Sequence, residues 1–282
     1  MIDAVTRQQL QYVRVPDPTI SLEHFPNFLI AGPQRTGTTW LHAHLRFHPE
    51  IFLSEPKELF FFSTLKRPGS PRFQSNDLGW YLQFFRDPLW RRALKSAITL
   101  WKYREPYRPT VRGEATASYA ALDRDVIREI ALLNPNIKLI LMIRNPVDRA
   151  WSHAKKDLIR KRHRQLEDVP EAEFRQFFNE SYQRQCARYV ENYDNWATYL
   201  KAGNILVGLF DDIASRPEEL LLDVMAFLGV RSDRRYVDAG VRKPVNPTSP
   251  SEIPPQHRRF LEELLAQELA HLKERFGLSW SR

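Results

Sequence analysis

Short apolar runs bounded by glycine and proline alternate along this chain with stretches whose apolar residues recur every three or four positions. The runs predict strands near residues 26–31, 110–115, 137–143 and 205–210. The clearest is Ile137 to Ile143, a continuous apolar run with β-branched residues, short enough for a buried parallel strand and ended by Arg144-Asn145-Pro146, where Pro146 opens a helix. Near the C-terminus, Phe260, Leu261, Leu264, Leu265, Leu269 and Leu272 predict one helix over 255–276 that serves packing. Trp80, Tyr81, Phe84 and Phe85 also have helical spacing and read as core. Residues 64–79 read as a flexible surface loop and 163–180 as a charged connection with no structure assigned, either able to form a lid, and 241–250 as a proline-interrupted loop. This alternation predicts an α/β single domain, a P-loop-like central, mainly parallel sheet flanked by helices.

The first strand runs into Gly32-Pro33-Gln34-Arg35-Thr36-Gly37-Thr38-Thr39-Trp40. Gly32 and Gly37 have the Walker A spacing, yet Thr38 stands where the phosphate-reaching lysine belongs, which disfavours an ordinary ATPase. The backbone still suits a 5′-phosphate, through a tight turn, consecutive amides and the positive end of the next helix. The strand ending at Ile143 offers the cation Arg144 where a Walker B aspartate would hold Mg²⁺. Ser152 follows eight residues later, about two helical turns on, so it and Arg144 can face one anion. Two anion sites on one sheet suit a ligand with two separated phosphates.

These residues resemble the sulfotransferases that use 3′-phosphoadenosine 5′-phosphosulfate, and most of all the branch of heparan sulfate sulfotransferases and their bacterial relatives. Gln34 to Trp40 is similar to the family's 5′-phosphosulfate loop, and Arg144 to Ser152 to its 3′-phosphate motif. Glu55-Pro56-Lys57-Glu58-Leu59-Phe60-Phe61-Phe62 is similar to the segment supplying the general base, and Gly113-Glu114-Ala115-Thr116-Ala117-Ser118-Tyr119 and Trp80-Tyr81 also match that branch. The likeness spans roughly 25–250, implying a sulfotransferase domain over 25–282 behind an N-terminal extension, 1–24. It implies Gln34, Arg35, Thr36, Gly37, Thr38, Thr39, Arg144 and Ser152 as donor-binding residues, with Arg242 and Lys243 in a late loop over the 3′-phosphate. Glu58 is the expected general base, with Glu55 in reserve, and Arg35 the cation at the departing 5′-phosphate. Lys57, Thr116, Ser118 and Tyr119 are expected toward the acceptor. The product would be adenosine 3′,5′-bisphosphate, with no metal. Two departures stand out: Arg35 replaces the usual lysine, and Ala115 replaces a lysine beside the substrate in heparan-type enzymes.

The 282 residues carry 42 Lys and Arg against 34 Asp and Glu. This excess, with the run Lys155, Lys156, Arg160, Lys161, Arg162, His163 and Arg164, suits an anionic glycan or nucleotide, or simply a solvated helix end. No nucleic-acid-binding module accompanies it. No uninterrupted leader-like run and no apolar stretch of about 18 residues is found, and Cys186 is the single cysteine, so a cytoplasmic protein is expected. His42, His44 and His48 lack the carboxylate pattern of a metal site, and the acids of Phe210-Asp211-Asp212-Ile213 read as structural. The acceptor is expected to be a small molecule, natural product or glycan offering a hydroxyl, less an amine. A catalytically silent bisphosphate-binding module and a metal-dependent kinase remain as alternatives.

Overall fold

The computed structural model describes residues 2–243, 245 and 252–280. Its centre is a five-stranded parallel sheet of β1 (Phe28–Ala31), β2 (Ile51–Leu53), β3 (Val111–Ala115), β4 (Lys138–Ile143) and β5 (Ile205–Leu209), in the order β2-β3-β1-β4-β5. The longer helices are α1 (Thr38–Leu45), α2 (Leu89–Tyr103), α3 (Arg124–Leu133), α4 (Pro146–Ala154), α5 (Glu171–Asn179), α6 (Ser181–Ala187), α7 (Tyr189–Ala197), α8 (Pro217–Leu228), α9 (Pro255–Leu264) and α10 (Ala266–Phe276). None of the described helices is long and apolar enough to cross a membrane.

Alternation along the strands sends side chains to two layers. Leu29, Ala31, Leu139 and Leu141 pack with Ile127 and Ile130 of α3. Phe28, Ile30, Ile140 and Met142 pack on the other side with Trp40 and Leu41 of α1 and Leu221 and Val224 of α8. Burial on both faces is why β1 and β4 read as unbroken apolar runs rather than alternating ones. The chain builds β3 and β2 on one side of β1, then β4 and β5 on the other. The order therefore reverses between β1 and β4, where ligands of open parallel sheets collect beyond the carboxyl ends.

Several expectations are corrected. β2 was not anticipated, because three residues carry no readable period. The single helix over 255–276 is two helices meeting at Leu265, whose φ of −111° and ψ of 12° leave helical geometry. Arg184 Nη1 donates to the carbonyl of Leu264 beside the break, at 2.7 Å. The charged connection 163–180, to which the sequence assigns no structure, contains α5, which buries Phe174, Phe177 and Phe178. Of the loop 241–250, only 241–243 and 245 fall within the described residues. Before β1, Ile2 and Val13 join the core, and the amides of Gln11, Tyr12 and Val13 donate to the Glu129 carboxylate of α3 at 2.6–2.8 Å.

Sheet packing demands a residue without a side chain at Gly113, where a Cβ would lie 2.5 Å from the Phe28 ring. Gly113→Ala should therefore cost about 1–3 kcal/mol through overpacking. Urea unfolding checks this, and an unchanged midpoint would contradict the packing described.

Candidate active site

The loop after β1 is shaped by close approach. A Cβ on Gly32 would meet the Thr36 hydroxyl at 2.5 Å and the Met142 carbonyl at 2.8 Å, and Gly37 starts α1 with a φ of 95°. Thr36 is fully buried and its hydroxyl donates to the Pro33 carbonyl at 2.8 Å, so its side chain fastens the loop. Thr38 is buried in the first turn of α1, and Thr39 half-buried beside it. Gln34 accepts from the Tyr182 hydroxyl of α6 at 2.6 Å. The Trp40 indole donates to the Val241 carbonyl at 3.1 Å, fastening α1 to the backbone just before Arg242 and Lys243, both exposed.

Arg35 has a left-handed backbone, with φ 79°. Its side chain crosses to α4, where Nε donates to the Ser152 hydroxyl at 3.0 Å. Arg144, at the end of β4, donates to the Arg35 carbonyl at 3.0 Å and lies over the Phe210 ring at 4.1 Å. The two anion motifs of the sequence thus converge on one place at the β1/β4 switch. Burial lowers the pKa of Arg35, and so do the neighbouring Arg144 and Arg160. Lys155, part of the basic run in the sequence, joins them; its pKa is lowered by burial and then by Arg144 and Arg35. Like charges held together and half desolvated are costly, and an anion among them relieves that cost. Lys155 and Lys156 open a π-helical turn, Lys155–Ile159, that continues α4. Their place one turn beyond Ser152 was the signal available in the sequence.

Ala117, just past β3, links this cluster of cations to Glu58, the expected base. Its carbonyl accepts from the Gly32 amide at 3.4 Å. Its amide donates to Glu58 Oε1 at 3.0 Å, and Lys57 Nζ lies 3.2 Å from the same oxygen. The pKa of Lys156, lowered chiefly by burial, is pushed down by Arg35 and up by Glu58, so both lie within its electrostatic reach. Glu55, the reserve candidate, is committed to Arg46 at 2.9 Å and Arg91 at 3.3 Å.

Thr116 and Tyr119, expected to line an acceptor pocket, are fully buried and instead brace the Glu58 loop. The Thr116 hydroxyl accepts from the Leu59 amide at 3.2 Å, and the Tyr119 hydroxyl from the Phe62 amide at 3.2 Å. Behind them lies the buried Glu114, to which the sequence assigns no role of its own, and which accepts from Thr116 at 2.9 Å and from Tyr81. Burial pushes its pKa up to about 7, against the opposing hydrogen bonds of Tyr81, Thr116 and Tyr119. Ser118, by contrast, does border a cavity of about 330 Å³, together with Phe62, Ser63, Lys66, Arg67 and Tyr182. Tyr182 joins that cavity to Gln34 of the phosphate loop. His42, whose pKa falls to about 4 through burial, belongs to no metal-binding group among the described residues.

A family model described as a sulfotransferase domain matches residues 25–243. The human bifunctional heparan sulfate N-deacetylase/N-sulfotransferase 2 is 28% identical over 223 residues, 76% of this chain and 23% of that protein. The chain therefore spans less than a quarter of that relative's length. A crystallised sulfotransferase from Alicyclobacillus acidocaldarius is 27% identical, with a TM-score of 0.60 over 90% of this chain and 97% of its own. A second, STF9 from Mycobacterium avium, shares the fold at 12% identity and a TM-score of 0.53, over 92% of this chain and 78% of its own.

The raised pKa of Glu114 has a consequence for stability. A carboxyl that protonates more readily folded than unfolded stabilises the fold in acid, and that contribution is lost as pH rises from about 4.5 through about 7. Between pH 5 and 8 the wild type should lose up to ~3 kcal/mol relative to Glu114→Gln. Urea titrations across that range measure it, and parallel pH dependences of the two proteins would contradict it.

Proposed function

The chain belongs to the sulfotransferase family, and we propose that it transfers a sulfuryl group from 3′-phosphoadenosine 5′-phosphosulfate to a hydroxyl of a small-molecule, natural-product or glycan acceptor, with Glu58 as general base. The observation that carries this reading is the convergence of Arg35, Arg144 and Ser152 beside the phosphate loop. Mutual repulsion of the Arg35, Arg144 and Lys155 charges fits a ligand with phosphates at both ribose ends. Thr38 in place of the phosphate-reaching lysine and Arg144 in place of a metal-holding aspartate speak against a magnesium-dependent kinase.

When bound, the donor supplies an activated sulfuryl group and leaves as adenosine 3′,5′-bisphosphate. The amides of 32–39 and the Thr38 and Thr39 hydroxyls would hold its 5′ end, and Arg144 with Ser152 its 3′-phosphate. Arg242 and Lys243, tethered through Val241 to Trp40, would cover the 3′ side. Glu58 takes the proton of the acceptor hydroxyl as its oxygen bonds to sulfur. Arg35 carries the charge left on the 5′-phosphate oxygen, as a fixed cation that need not give up a proton. Lys57, beside Glu58, would meet the sulfuryl oxygens, and Ser118 the acceptor. An amine acceptor is the second reading, favoured by the N-sulfotransferase named among the relatives.

Loss of the base should separate chemistry from binding. Glu58→Gln should lower sulfate transfer by about 10²–10⁴-fold while the bisphosphate still binds. Wild-type turnover in that variant would exclude Glu58 as base, and a wild type inert toward a broad acceptor panel would favour a silent binding module. Arg35→Ala should cost about 2.7–4 kcal/mol in the transition state, hundreds-fold in turnover. A change confined to KM would contradict its role at the leaving phosphate.

A further inference from the structure

Helix α2 is turned inside out. A helix on a folded surface normally buries its apolar stripe, yet Trp90, Leu94, Ala97 and Trp101, at i, i+4, i+7 and i+11, all face solvent. Trp90 is 71% and Trp101 78% exposed, with Leu89 and Leu100 exposed on the flank. The polar side faces the protein instead. The Arg91 guanidinium lies 5.2 Å from the Phe52 ring centre, Lys95 Nζ lies 4.9 Å from that of Tyr107, and Thr99 is buried. Burial lowers the pKa of Lys95 to about 8, a cost the fold accepts to keep this orientation. The two tryptophans bracket a stripe about 16 Å long.

Charge around the stripe selects what covers it. Residues 86–108 contain seven Lys and Arg and two carboxylates. Arg86, Arg92, Arg104 and Arg108 are exposed, Lys102 is exposed but paired with Asp238 at 2.7 Å, and Asp87 and Glu105 are not exposed. Glu105 is spent on Arg231 and Arg235. A second copy meeting this face symmetrically would set exposed cations against cations, with no carboxylate on α2 to answer them. An anionic bilayer surface offers what the face lacks: acyl chains for the leucines, a headgroup layer for the tryptophan rings and phosphates for the cations.

We propose that α2 is an interfacial anchor that seats this protein on an anionic lipid surface. The anchor has a fixed relation to the candidate site. Arg91, in its first turn, reaches the Leu53 carbonyl at 3.5 Å and Glu55 at 3.3 Å, at the carboxyl end of β2, from which the chain runs directly to Glu58. The seated helix therefore lies directly beside the segment that leads to Glu58. This docking does not depend on the reaction assigned above, and its test needs no turnover.

The test is co-sedimentation of the full chain with vesicles of phosphatidylcholine alone or with about a third phosphatidylglycerol, run beside sedimentation velocity without vesicles. The wild type should bind the anionic vesicles, weakly or not at all the neutral ones, and less as salt rises. A Trp90→Ser, Leu94→Ser, Trp101→Ser variant and, separately, an Arg92→Glu, Arg104→Glu variant should each lose about tenfold or more in partitioning. Retained binding of adenosine 3′,5′-bisphosphate, or an unchanged far-ultraviolet spectrum, shows that the variants fold. Absence of vesicle binding, or binding that survives the triple variant, would overturn the proposal. So would a wild-type dimer that the triple variant dissolves without any vesicle binding, which would make a second copy the occupant.

Discussion

The active cleft depends on one residue using both its backbone groups. Ala117 accepts from Gly32 of the loop after β1 and donates to Glu58, so that loop and the proposed base are positioned by a single peptide segment leaving β3. That segment is itself fixed by the parallel register of β1 and β3, in which Leu29 lies opposite Glu114 and Ile30 opposite Ala115. A slip of one residue would turn Glu114 to the other layer and separate the two halves of the site. Precision in the cleft is thus inherited from sheet register, which the apolar burial of both faces enforces.

Electrostatics adds the second constraint. Arg35, Arg144 and Lys155 are gathered from the ends of β1 and β4 and from the turn after α4, each partly desolvated, with Arg144 lowering the pKa of both Arg35 and Lys155 and Arg35 that of Lys155. An assembly of this kind trades stability for affinity, since its repulsion disappears when an anion enters. The neutral braces lie on the opposite side of the loop. Thr116, Tyr119, Tyr81 and the easily protonated Glu114 hold the Glu58 segment without adding a second full negative charge behind it.

Much of this was legible in the chain. β1 and β4 stood out because strands buried on both faces must be continuously apolar, and the convergence of loop 32–39 with Arg144 and Ser152 because both follow strands that lie side by side in the sheet. What escaped did so for local reasons. Ile51-Phe52-Leu53 is too short to show a period, and the apolar spacing around Leu265 passes unchanged through the break between α9 and α10. Thr116 and Tyr119 looked like ligand contacts because they follow a strand, but only register reveals that they point inward, toward Glu114. The direction of α2 was equally hidden, since an amphipathic pattern does not say which face is outside.

The central claim, that these clustered cations form one site for an adenosine with phosphates at both ribose ends, is tested most directly by calorimetry of adenosine 3′,5′-bisphosphate with the wild type and with Arg144→Ala. The account predicts metal-independent binding that weakens with salt and drops about tenfold or more in the variant. Tight binding of ATP that requires magnesium, with indifference to the bisphosphate, would contradict it.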